Sequence, residues 1–247
     1  MNSLLGCHRR IEILKIEWRN GMTAFWLRVI AMVTMLTDHV GAVFFPGFAI
    51  SFLGSEWEIF RIIGRIAFPI FAYQIAEGAG HTSNWKKYAL RLLLFGVISE
   101  IPFDLALYGS ITLQKQNVYV TLLLGLLAIR LDMYFVKKDI WFGRMKGLLF
   151  TGVCMAIAWG IRCDYSFFGV IMIYWFYLTR TEPIMMGLGN AIIECTMGGL
   201  QPFGLFALIP IGFYNHEKGY EKKWIKWLGY AFYPAHLIVI AGIRAVI

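Results

Sequence analysis

The feature that most constrains this chain is the recurrence of apolar runs from about residue 22 to the C-terminus. Several reach the roughly 17–25 residues that cross the hydrocarbon core of a bilayer. Lipid offers no hydrogen bonds to backbone N–H and C=O groups, so each run must satisfy its own, and that selects helices. The period-two alternation of a membrane barrel is absent. Composition agrees, with 59% hydrophobic residues and a mean hydropathy of +0.63. Only 15% of residues are charged, where soluble domains average about 25%. The expected fold is all-α, a polytopic transmembrane helix bundle of about nine spans (eight to ten). Their expected positions are 22–45, 59–76, 88–108, 118–135, 147–161, 166–178, 184–199, 203–214 and 227–247. The fifth, sixth and eighth are short enough to be tilted, broken or re-entrant. With no internal repeat visible, 22–247 reads as a single transmembrane domain, preceded by a basic segment, 1–21.

A net charge of +8 could suggest nucleic acid, but the basic residues lie in short loops between apolar runs. That pattern sets topology, and no nucleic-acid partner is expected. With a cytoplasmic N-terminus, fifteen loop Lys and Arg fall inside, and only Lys115 and Arg162 fall outside. The acidic loop 54–58 would also lie outside. The expected location is the cell membrane, multi-pass, and nine spans would leave the C-terminus extracytoplasmic. The expected partners are the lipid bilayer and an acceptor the sequence does not specify, with a homo-oligomer left open. Cys7, Cys154, Cys163 and Cys195 form no C-x-x-C pair and no zinc spacing. Residues 4–7 have no apolar signal core before them, so a lipoprotein cleavage box is rejected.

Ionisable side chains within a bilayer are costly and point to function. Arg28 and His39 lie eleven positions apart. At 100° per residue this is three turns plus about 20°, so both occupy one face of the first span, roughly 16 Å apart along its axis. A cation near the cytoplasmic mouth and a base deeper in suit a long anionic cofactor entering from the cytosol. In the bland reading, Arg28 snorkels to the interface and His39 packs. Asp38 projects about 100° from His39, which favours pairing with an arginine of another helix. Arg61 and Arg65 share a face and require an anion between them, from Asp38, Glu100 or a substrate. A plain structural ion pair serves Arg61 equally well. Glu77 and His81 are four apart, but Gly78 and Gly80 are expected to end the helix there, leaving a turn at a cavity mouth. With no third ligand, no metal is expected. Glu100 lies near Pro102, which frees a backbone carbonyl, as in helices that line cavities. Asp164 reads as a helix cap or a cavity residue. His236, after Pro234, reads as a ligand-binding group or a hydrogen bond holding the bundle.

Several blocks resemble the TraX family, named for the F-pilin acetylase of conjugative plasmids. TMLTDHVG at 34–41 is similar to its first-helix motif, and RIIGRIAFPIFAY at 61–73 to its second block, which ends in AEG at 76–78 and His81-Thr82. YALRL at 88–92 with ISEIPF at 98–103 resembles the third. NVYVT at 117–121, DYS at 164–166 and FYPAHL at 232–237 continue in order, so the resemblance covers about 25–240. The spacing of Arg28 and His39 also resembles that of membrane acyltransferases that modify sugars, where the histidine is the presumed base. The first 20 residues lie outside these blocks. The resemblance implies acetyl transfer from acetyl-CoA. His39 and Asp38 would be catalytic, and Arg28, Arg65 and Arg91 would contact the cofactor. Arg61, Glu77, His81, Glu100, Asn117, Tyr119, Asp164, Tyr233 and His236 would line the cavity.

The leading expectation is an O- or N-acetyltransferase taking acetyl-CoA from the cytosol as co-substrate. Its acceptor would be a peptide N-terminus, a sugar or another small molecule at or across the membrane. Asp38 and Glu100 would orient the arginines. The alternative is a secondary transporter or proton-coupled permease using Asp38, His39, Glu77 and Glu100 as a relay. It lacks visible inverted repeats and leaves the spacing of Arg28 and His39 unexplained. A purely structural role leaves many costly charges without a task. A retinal photoreceptor would need a lysine in mid-span, and none is present.

Overall fold

The computed structural model describes residues 21–52, 55–112, 114–220 and 222–246. The N-terminal segment expected to be cytoplasmic, apart from Gly21, and Gly54 of the acidic loop lie outside the described residues. The apolar runs form α1 (Ala24–Phe44), the pair α2 (Ile59–Gly64) and α3 (Ala67–His81), α4 (Trp85–Tyr108), α5 (Val118–Val136) and α6 (Ile140–Gly160). They continue as α7 (Ser166–Thr179), α8 (Pro183–Met197), a 3₁₀ segment (Gln201–Ala207) leading into α9 (Leu208–Gly212), and α10 (Lys223–Arg244).

The architecture is all-helical, as expected, with one small addition. Strands β1 (Ala49–Phe52) and β2 (Ser55–Glu58) form an antiparallel hairpin, with Ala49 opposite Glu58. Four residues per strand are too few for an alternating pattern to stand out.

Among the described residues, four helical segments are long and apolar enough to cross a membrane: Ala24–Phe44, Ile59–His81, Val118–Val136 and Ile140–Gly160. Ser166–Thr179 and Gln201–Gly212 are apolar but shorter. The expectation of about nine spans therefore resolves into four such helices, with shorter or more charged ones packed among them. These apolar helices indicate a membrane protein.

The α4 helix shows how a charged helix fits this setting. Leu90, Leu93, Leu94, Val97, Ile98 and Ile101 recur at helical spacing and are all exposed, whereas Ser99, Phe103 and Asp104 are buried. Over this stretch the polar Ser99 and Asp104 point into the protein and most of the large aliphatic side chains outward, the reverse of a soluble helix. Helix starts are set locally. Asn84 Oδ1 accepts from the Lys87 N–H at 3.0 Å, Asn117 Oδ1 from Tyr119 at 3.0 Å, and Asp139 Oδ1 from Phe142 at 2.8 Å. The cap at Asp139 starts α6 at Ile140, ahead of the expected 147. Gly78 and Gly80 do not end α3, which runs to His81. A Cβ on Gly78 would come 3.2 Å from the Tyr88 ring, so the glycine serves close packing against α4.

The α5 helix is central, packed against α3, α4, α6 and α7. Its fully buried Asp132 accepts from Arg144 Nη1 at 2.5 Å and from Tyr174 Oη at 3.0 Å, joining α5 to α6 and α7. Gly147 makes room for it, since a Cβ there would lie 2.1 Å from Asp132 Oδ1. The two described termini lie at opposite ends of the bundle. Met22 bonds to Phe213 and Asn215 at one end, and Arg244 Nη1 donates to the Ala106 carbonyl at the other.

Gly147→Ala is expected to destabilise by about 1–3 kcal/mol through overpacking against Asp132. Gly152→Ala on the same helix, with nothing within 4 Å, should be neutral or stabilising. Thermal unfolding in detergent checks the pair, and equal effects would refute the packing role.

Candidate functional site

Asp38, near the C-terminal end of α1, joins three elements. Its Oδ2 accepts from Arg61 Nη1 at 2.7 Å and its Oδ1 from Arg65 Nη2 at 2.6 Å. The two arginines flank the α2–α3 break, and Arg65 Nε also donates to the Arg61 carbonyl at 3.2 Å. Gly64 permits the approach, because a Cβ there would lie 2.2 Å from Asp38 Oδ1. Of the anions expected between the arginines, Asp38 takes the place and Glu100 does not. Glu100 instead accepts from the Asn117 backbone N–H at 3.2 Å and from the Asn117 side chain, tying α4 to the start of α5. Asn117 Nδ2 also donates to the Gly96 carbonyl at 2.8 Å.

One turn of chemistry away, His39 Nδ1 lies 2.7 Å from His236 Nε2, and the two rings stack with centroids 5.0 Å apart. His236 Nδ1 lies 2.7 Å from the Phe232 carbonyl oxygen. A carbonyl only accepts, so the neutral His236 carries its proton on Nδ1 and offers a lone pair at Nε2. His39 must then donate from Nδ1, which leaves the His39 Nε2 lone pair free. Tyr233 packs edge-on against both histidines at 5.9 Å and 5.6 Å. Pro234 lies inside α10, where it frees backbone near these groups.

Two cavities enter from opposite ends. One, of about 270 Å³, is lined by Arg28, Arg91, Tyr88, Tyr230, Lys218 and Lys226, with Glu77 and His81 among the other lining residues. The second, of about 740 Å³, is lined by Asp38, His39, Arg61, Arg65, Lys115 and Arg162, together with Asp164. Met35, Phe71, Val118 and Tyr233 line both, so four side chains form the partition between them.

The expected cofactor residues are divided by this partition. Arg28 and Arg91 share the smaller cavity, whereas Arg65 belongs to the larger one with His39. The Arg91 guanidinium lies 5.7 Å from the Tyr88 ring centroid and 5.5 Å from that of Tyr230, and its buried Nε has no hydrogen-bond partner among the described residues. Tyr119 lines the Arg28 cavity and donates to the Tyr230 carbonyl at 2.8 Å. Glu77 Oε1 lies 3.2 Å from His216 Nδ1 and 3.7 Å from His81 Nδ1, at the end of α3 rather than in a turn. Asp164 lines the His39 cavity, and its carbonyl accepts from Thr121. Burial pushes the Cys163 thiol up to about 11, so it stays protonated at neutral pH and is no thiolate nucleophile. Among the described residues, no group of three or more His, Cys, Asp or Glu side chains could hold a metal ion.

Sequence reading missed the roles of Tyr88, Tyr230, Lys218 and Lys226 at one cavity, and of Lys115 and Arg162 at the other. The last pair carried a signal, as the two cations of an otherwise cation-free set of loops.

A helical membrane protein with two cavities and a buried histidine pair, of which His39 lines the larger cavity, is the class these features define. A sequence model of the TraX protein family matches residues 25–244, and the chain belongs to that family. It is similar to the probable fimbrial assembly protein FimC, serogroup H1, of Dichelobacter nodosus, with 27% identity over 250 residues, 90% of this chain and 96% of that protein. An uncharacterised protein of Rickettsia prowazekii (strain Madrid E) is 29% identical over 151 residues, 60% of this chain and 50% of the relative. No solved structure matches.

Asp38→Ala leaves two guanidiniums facing each other without a carboxylate, and should destabilise by about 3–5 kcal/mol. Arg61→Ala leaves the Arg65–Asp38 pair intact and should cost clearly less. Thermal unfolding of both variants checks the order, and the reverse order would refute it.

Proposed function

We propose that this protein is a membrane acyltransferase that moves an acetyl group from acetyl-CoA to a hydroxyl or amine at the partition between the two cavities. The observation that carries this reading is the division of labour across that partition. Arg28 and Arg91 with the rings of Tyr88 and Tyr230 lie on one side, and a histidine with one free ring nitrogen lies on the other, beside the Asp38 ion pairs.

Arg28 and Arg91 would hold phosphates of acetyl-CoA, with Lys218 and Lys226 at the cavity mouth. The unpartnered Arg91 Nε fits an anionic or carbonyl acceptor atom. About 270 Å³ suits the narrow pantetheine arm, with the nucleotide at the mouth. The thioester carbon would then meet the acceptor near Tyr233. His39 Nε2 takes the proton from the acceptor O–H or N–H as the oxygen or nitrogen attacks the acetyl carbon. The C–S bond breaks, and that proton passes to the leaving CoA sulfur. His236 fixes the His39 tautomer, as the partner of a catalytic histidine commonly does. Asp38 holds Arg61 and Arg65 and is a positioning residue rather than a base. The fimbrial designation of the Dichelobacter relative is compatible with a protein amine as acceptor.

Two cavities meeting at a thin partition would also suit a carrier. Acetyl-CoA separates the readings: at a hundred times its Kd it should stabilise the purified protein by about 2.7 kcal/mol. No thermal shift would remove the transferase reading.

His39→Ala should lower acetyl transfer by about 10²–10⁴-fold with folding retained, as read by CoA thiol release. An active variant would overturn the base assignment. Arg28→Ala should raise the KM for acetyl-CoA about tenfold with little change in kcat, because it removes binding common to ground and transition states. An unchanged KM would exclude the anchor.

A further inference from the structure

The loops at the His39 end of the bundle are nearly devoid of cations. The connections at 45–58, 109–117, 161–165 and 198–200 contain only Lys115 and Arg162 among their residues. Both line the cavity that holds His39.

The backbone holds them there. Gln116 N–H donates to the Arg162 carbonyl at 3.1 Å, and Asp164 N–H donates to the Gln116 carbonyl at 2.8 Å, so the two loops are fastened together next to their cations. Arg162 sits at φ 57°, and Tyr165 and Ser166 at 62° and 48°. Three non-glycine residues in the left-handed region cost roughly 1–2 kcal/mol each, strain that the surrounding contacts must hold. The side chain at 162 is thus aimed by a conformation that its own backbone disfavours.

The charge balance of the cavity is uneven. Arg61, Arg65, Lys115 and Arg162 face two carboxylates, Asp38 and Asp164. Asp38 is already shared by Arg61 and Arg65. Asp164 interacts electrostatically with Arg65 and Lys115. Arg162 has no side-chain hydrogen bond or ion pair among the described residues. We infer that this cavity takes an anionic acyl acceptor, one that presents a hydroxyl or amine to His39 and a carboxylate or phosphate to Arg162 and Lys115. A cavity walled by low-dielectric helices focuses such a field and selects for sign of charge. Arginine adds the planar fork that matches carboxylate or phosphate oxygens. The word acceptor rests on the transferase reading, whereas the anion site stands on the cavity alone.

The test uses the full chain in nanodiscs of neutral phosphatidylcholine and two pairs of probes matched except for charge. These are glucuronate with glucose, and alanyl-alanine with alanyl-alaninamide, each titrated calorimetrically. The carboxylate member of a pair should bind about tenfold or more tightly than its neutral partner. Lys115→Gln/Arg162→Gln should bring that ratio close to one, while the thermal shift with acetyl-CoA stays as in the unmodified protein. Equal binding within each pair, binding of neither carboxylate, or a ratio that survives the double substitution would each overturn the anion site. Adding phosphatidylglycerol to the nanodisc separates two sources of the same chemistry. Displacement of glucuronate would identify a lipid headgroup as the occupant, and retention would identify a water-borne acceptor. Selectivity for the carboxylates without any response to acetyl-CoA would keep the anion site and remove the transferase reading. A response to acetyl-CoA without selectivity would do the opposite.

Discussion

The sharing of Asp38 by Arg61 and Arg65 is the contact on which the rest of the site depends. A carboxylate that is 12% exposed, with guanidiniums at 2.6 and 2.7 Å, would be costly in a low-dielectric interior if either kind of charge stood alone. Paired, the three groups lock α1 against the α2–α3 break. That break is where the backbone of the second helical segment changes course, and Gly64 allows the carboxylate to sit against it. With α1 held there, the next residue along, His39, turns away from the ion pairs and meets His236 of α10. One residue of sequence thus separates a charge cluster from a histidine pair, because adjacent helical residues point about 100° apart.

Much of this was legible in the sequence. The apolar runs gave helices because lipid allows the backbone no other partner, and the eleven-residue spacing of Arg28 and His39 placed them along one line of α1. The pairing of Asp38 with an arginine of another helix followed from its direction relative to His39. What sequence could not show depended on contacts between distant segments. Glu100 could have served the arginines by charge alone, but Asn117 reaches it first across the α4–α5 connection. By sequence Arg65 joins Arg28 and Arg91 as a cofactor contact, yet the partition puts it in the other cavity. The continuation of α3 through Gly78 and Gly80 likewise depends on Tyr88 of the neighbouring helix. Helix propensity is a weak prior where such packing intervenes.

The chain belongs to the TraX family over most of its length. The matched region, 25–244, takes in both cavities and the whole of the histidine pair, which joins residues 197 positions apart. The 29% match to the Rickettsia protein covers 60% of the chain and half of that relative. For the proposed transferase, the acceptor is better sought in the chemistry of the cavity than in the designation of any one relative.

The partition formed by Met35, Phe71, Val118 and Tyr233 has an electrical consequence. If water fills both cavities, the insulating part of the bilayer is thinned here to the depth of four side chains. A transmembrane potential then falls almost entirely across them, and each elementary charge carried through gains or loses about 2.3 kcal/mol per 100 mV. Movement of a neutral acetyl group between the cavities is indifferent to that field, whereas a proton relayed across with it is not. In the proposed transferase, the same short span would decide whether turnover is silent or coupled to membrane voltage.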